Sequence, residues 1–72
     1  MAELTHTQYD ALERAIIDQR RIAVYRRGTE YVVVPRALRL EGRQEVIEAT
    51  HPTTGEAIEF SIADLESIQV IA

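Results

Sequence analysis

The segment Leu4-Thr5-His6-Thr7-Gln8-Tyr9 is spelled as the start of a helix. Thr5 is suited to the N-cap, Gln8 stands at N3 where its amide can reach back to the Thr5 N–H, and Leu4 and Tyr9 flank the pair as a hydrophobic staple. Tyr9, Leu12, Ala15 and Ile16 then recur with the helical period and share one face, while Asp10, Glu13, Arg14 and Gln19 fall on the wet side. The spacing predicts a helix from about residue 6 to 19. Arg20 and Arg21 are expected to close its last turn, where positive charge suits the carbonyl end of the helix dipole.

After Arg20 the period changes to two. Ile22 and Val24 alternate with Ala23 and Tyr25, and Arg26-Arg27-Gly28-Thr29 has the composition of a tight turn before Tyr31-Val32-Val33-Val34. Pro35 is expected to end that strand's pairing or to mark an edge. A separate short segment, Ala37 to Leu40, turns at Glu41-Gly42-Arg43 into a strand over 44–50, and residues 51–55 form a loop. Ile58, Phe60 and Ile62 alternate within a strand over 56–62 and are expected to face the core. Ser61 to Leu65 suggests a 3₁₀ turn that leads into a last strand from Ser67 to Ile71. The order of one helix and then only strands, from about 21 to 71, implies an α+β domain. Its N-terminal helix packs on a five-stranded, strongly bent antiparallel sheet, as in the SH3-like and Sm-like barrels.

At 72 residues the chain is expected to form one domain over 1–72, too small for a deep substrate cavity. A core of this size supplies only about 3–5 kcal/mol, so a partner or self-association would add stability. Cysteine is absent, which excludes disulfides and thiolate chemistry. The start of the chain shows neither a basic n-region nor an apolar h-region, and no run reaches the length of a membrane span. A cytoplasmic location without membrane contact is therefore expected.

The charges are unevenly spread along the chain. Residues 1–13 carry Glu3, Asp10 and Glu13; residues 14–43 carry all eight arginines against Asp18, Glu30 and Glu41; residues 44–72 carry six acids and no base. The middle is thus basic, the ends are acidic, and the net charge is -4. Two folded arrangements fit. The charges either interleave and only solubilise the domain, or they segregate into an arginine face for an acidic protein or a phosphate. Guanidinium suits either anion, because its fork can bind two oxygens at once.

No constellation of side chains points to catalysis. Ser61, His51 and Asp64 include the residue types of a hydrolytic triad, but no nucleophile-elbow pattern surrounds Ser61. His6 and Asp10 stand four apart on the helix, too few ligands for a metal site. His51-Pro52-Thr53-Thr54-Gly55 lacks the following helix that a phosphate loop needs. No enzyme activity, cofactor or metal is expected. The first hairpin stands out instead. Tyr25 and Tyr31 flank a turn that bears Arg26 and Arg27, a residue pairing enriched at protein interfaces and in stacking platforms for single-stranded nucleic acid. Both faces of the 31–34 segment are apolar, so the face away from the core requires cover from the helix, a partner or a second copy. Tyr25, Arg26, Arg27 and Tyr31 are the expected contact residues, with Arg20 and Arg21 as steering charge.

From Leu12 to Ile71 the chain resembles the WYL domain, a small Sm/SH3-like barrel of bacterial transcription regulators. The matching elements are Leu12-x-x-Ala15-Ile16, Arg21-Ile22-x-Val24-Tyr25-Arg26-x-Gly28, Val34-Pro35-x-x-Leu38, the Gly42 turn and Phe60-x-Ile62-x-x-Leu65-x-x-Ile68. The aromatic-aromatic-aliphatic triplet that names the domain is Gln44-Glu45-Val46 here, and the family's ligand-contacting arginine falls on Asp64. The resemblance therefore implies the fold and not the family's nucleic-acid or nucleotide ligand. The chain is also similar to the Rho-binding antiterminators, which are small acidic Sm-like proteins. That similarity rests on Tyr9-Asp10-x-Leu12-Glu13-x-Ala15, the Gly28 turn and Leu65-x-x-Ile68, without the Cys-Asp pair usual before the helix and with Pro35 as an addition. Both resemblances imply regulation of transcription. The expected partner is a protein of the transcription machinery, with weaker nucleic-acid binding and self-association as the alternatives.

Overall fold

The computed structural model describes residues 3–71. It has a helix α1 (His6–Asp18), strands β1 (Ile22–Arg26), β2 (Thr29–Glu41), β3 (Gln44–Thr50) and β4 (Ala57–Ser61), a 3₁₀ turn (Ile62–Asp64) and strand β5 (Ser67–Val70). The strands form one antiparallel sheet in the order β4-β3-β2-β1-β5. Among the described residues no ladder joins β4 to β5, so the sheet is open at both edges.

The helix begins as its residues require. The Gln8 N–H donates to the Thr5 hydroxyl at 3.2 Å and the Thr5 N–H donates to the Gln8 side chain at 2.9 Å, which satisfies two of the donors that a helix start leaves unpaired. Leu4 packs on the core, whereas Tyr9 lies at the surface. The helix ends earlier than its charge pattern suggests. Gln19 takes a left-handed conformation (φ 56°), and the N–H groups of Gln19 and Arg20 bond back to the carbonyls of Ile16 and Ala15. This paired closure satisfies the end carbonyls and turns the chain away, so Arg20 and Arg21 lie beyond the helix and not in its last turn.

Pro35 neither ends a strand nor lies at an edge; it sits inside the central strand β2. The two-residue loop Arg27-Gly28 sets the register Arg26↔Thr29 to Ile22↔Val33, and in such a hairpin the odd positions of β2 aim their N–H groups at β1. Position 35 is the first of these beyond the end of β1, so its missing N–H costs no ladder bond. The register with β3 shifts between Pro35 and Ala37, a bulge that leaves Arg36 as the extra residue. Segments expected as two strands are thus one, paired to β1 in its first half and to β3 in its second.

Leu12 and Ala15 of α1, Ile22 and Val24 of β1, Val33 of β2, Ile47 and Ala49 of β3, Phe60 of β4, and Ile62 and Leu65 form the core. Phe60 is fully buried, and Ile58 packs against the cluster. The helix covers the same sheet face as Val24 and Phe60, so the opposite, outer face of the sheet has no helix over it. Ala23 and Val46 are buried on that outer face and stand outside the core cluster.

Candidate docking surface

The six residues singled out from the sequence do not share one surface. Period-two alternation places neighbours on opposite faces of a strand, and Tyr25 and Arg26 are neighbours. Arg26 lies on the core face with Val24 and, across the ladder, Tyr31. Its guanidinium sits 5.0 Å from the centre of the Tyr31 ring and 5.1 Å from that of Phe60, and the two rings are 5.4 Å apart and tilted by 57°. Arg26 therefore closes one end of the core by a cation–π contact, and its plane covers the aromatic surface that a base would need for stacking.

Tyr25 lies on the outer face. Its hydroxyl donates to the carboxylate of Glu30, which stands directly opposite in the ladder. That bond, then partial burial, then the negative charge of Glu30 all hold the phenol's pKa above its ordinary value. Arg27 occupies the hairpin tip in a left-handed conformation (φ 53°), followed by Gly28 at φ 78°. These signs at both loop positions match a type I′ turn, where a glycine or asparagine is usual. The Gly28 N–H donates to the Glu66 carboxylate at 2.7 Å and the Glu66 N–H donates to the Tyr25 carbonyl at 2.7 Å, which pins the tip to the segment before β5.

Arg20 and Arg21 stand at the other end of β1. The six residue steps from Arg21 to Arg27 span about 20 Å at roughly 3.3 Å per residue. The hairpin tip and the junction of α1 with β1 are therefore two separate basic sites. At the junction, Arg20 lies 3.9 Å from Asp18, and Arg14 lines the same groove between α1 and β5. Among the described residues, Arg14, Arg21, Arg27 and Arg43 enter no ion pair.

One arginine that the sequence did not single out organises the outer face. Arg39 of β2 meets Glu41 at 2.7 Å, Glu48 of β3 at 2.8 Å and Glu59 of β4 at 2.5 Å. Glu48 and Glu59 are direct cross-strand partners, an arrangement that repels unless a cation lies between them. The bonds to Glu59 and Glu41 raise the Arg39 pKa further above an already high value, so the guanidinium stays charged. Three of the chain's acids thus share one base, and most of the remaining arginines enter no ion pair among the described residues.

The other candidates separate in space. His51 adjoins the Thr50↔Ala57 end of the β3–β4 ladder, whereas Ser61 pairs with Val46 at the opposite end, about 13 Å further along at roughly 3.3 Å per residue. His6 and Asp10 form an exposed pair at 3.6 Å, and among the described residues no third ligand joins them. Val32 and Val34 on the outer face are half-buried beside Ala23 and Thr50, without cover from α1. Among the described residues no helix is long and apolar enough to cross a membrane. No protein-family model and no curated protein matches the chain.

Proposed function

We propose that the protein is a small binding module that modulates transcription by docking on a protein of the transcription machinery, with the α1–β1 junction as its contact. The observation that carries this reading is the uncommitted charge there. Arg14 and Arg20 line one groove with a single acid, Asp18, and Arg21 follows them in the chain without an ion pair among the described residues, while Glu41, Glu48 and Glu59 are held on the outer face by Arg39. A local positive field on a chain of net charge -4 favours a compact acidic surface over a long polyanion, because counterion release requires several cations in line with phosphates. The aromatic platform that could compensate is occupied, since the Tyr31 ring lies under Arg26. Transcription as the setting rests on the two family resemblances.

Titration of the immobilised protein with purified bacterial RNA polymerase, with the Rho factor and with short single-stranded RNA and DNA tests the reading. One of the two proteins should bind in a salt-sensitive manner, and Arg20→Glu with Arg21→Glu should abolish that binding without changing the thermal melt. Oligonucleotides should bind no tighter than the non-specific range of about 10⁻⁴–10⁻⁶ M. Submicromolar oligonucleotide binding that the same double variant removes would replace protein docking with nucleic-acid recognition.

A further inference from the structure

We infer that the free edge of β5 accepts an extended acidic segment of a partner protein as an added antiparallel or parallel strand; this rests on the docking reading and specifies its partner. β1 directs its odd-numbered backbone groups at β5, as the bond from the Ile71 N–H to the Arg21 carbonyl at 3.0 Å shows. Ser67, Gln69 and Ile71 therefore face β1, and the N–H and C=O groups of Ile68 and Val70 point away from the sheet.

Natural sheets guard such edges with charge, proline or a bulge. Edge strand β4 has Glu59, locked to Arg39. β5 reads Ser67-Ile68-Gln69-Val70, with no charge and no proline, and its register against β1 has no bulge.

Beside this edge runs a groove of about 320 Å³ between α1 and β5. Ala11, Ala15 and Val70 give it an apolar lining, and Arg14 and Arg20 stand on its rim with Asp18. Arg21 adjoins the same end of β5 through its carbonyl. Arg14 and Arg20 against one aspartate leave the rim net positive, which sets the preference for an acidic strand. Backbone pairing to β5 would supply the affinity, and small or β-branched side chains at alternate positions would enter the groove.

The probe is a fluorescent peptide of alternating valine and threonine between flanking glutamates. It should bind by anisotropy and slow amide exchange at Ile68 and Val70 more than at Ser67 and Gln69. Methylation of alternate peptide nitrogens, replacement of the glutamates by lysine, and Arg14→Glu in the protein should each weaken binding by about tenfold or more. Equal binding of the methylated or lysine peptide would overturn the inference, as would slowed exchange that maps elsewhere. Sedimentation that shows a dimer whose Ile68 and Val70 amides are protected without peptide would assign the edge to a second copy and overturn it too. If a transcription protein binds and the peptide fails to displace it, the edge inference alone falls. If the peptide binds at β5 while neither transcription protein binds, the edge stands and the transcription reading falls.

Discussion

Replacing Arg39 by methionine keeps most of the apolar stem and removes the guanidinium charge that joins three glutamates. An exposed ion pair contributes about 0.2–1 kcal/mol, and the three contacts of Arg39 involve partly exposed carboxylates, which holds each to that range. The loss is enlarged by the direct opposition of Glu48 and Glu59, whose repulsion is released when the cation between them goes. Together these effects place the cost of Arg39→Met at about 1–2.5 kcal/mol, a large share of the stability of so small a domain. Urea unfolding at low salt measures it. The attribution is made by a mutant cycle: in a Glu48→Gln, Glu59→Gln background the same Arg39→Met change should cost less than about 0.5 kcal/mol, because the pairs and the repulsion are both gone. High salt should also shrink the wild-type difference, since exposed charges are screened beyond about 10 Å at 0.1 M and about 3 Å at 1 M. An equal cost in both backgrounds would mean that the stem of Arg39 matters by packing and that its charge does not.

Arg26→Ala should destabilise by about 1–2 kcal/mol and weaken the near-ultraviolet circular dichroism as the Tyr31 ring gains mobility, since it uncovers the Tyr31 and Phe60 rings; an unchanged melt would refute the cation–π assignment. Arg27→Asn should stabilise by about 0.5–1 kcal/mol, seen as a rise in Tm, because asparagine adopts the left-handed conformation at φ 53° with less strain than arginine; a lower Tm would mean that the Arg27 side chain contributes to the fold. In Tyr25, the folded state binds the phenolic proton more tightly than the unfolded state, whose value is near 10.0. The associated stability is therefore complete below pH 10 and is lost as pH rises through the elevated folded value. An absorbance titration should show one phenol ionising late, and Tyr25→Phe should remove that component together with its share of the alkaline loss of stability.

The elements with their own local signals were legible. The capping pair of Thr5 and Gln8 is satisfied within four residues, strand β3 lies over 44–50 between two turns, and Phe60 and Ile62 alternate onto the core face. The division of the first hairpin was also encoded, since a two-residue loop at Arg27-Gly28 puts Tyr31 opposite Val24, and Val24 shares its face with Arg26 and not with Tyr25. Proximity in sequence concealed it: residues one apart look like a patch, although on a strand they are the pair least able to form one. Arg39 was hidden for a different reason. Counted from the hairpin without interruption, the core face of β2 runs through positions 31, 33, 35, 37 and 39, which would bury Arg39 among apolar side chains. The extra residue at Arg36 reverses that count, so Leu38 pairs with Ile47 on the core face and Arg39 emerges on the outer face beside Glu48 and Glu59. Pro35 marks the place of the bulge but not its size. A one-residue shift there exchanges the two faces of everything that follows in β2, and only the pairing with β3 fixes which face receives the charge.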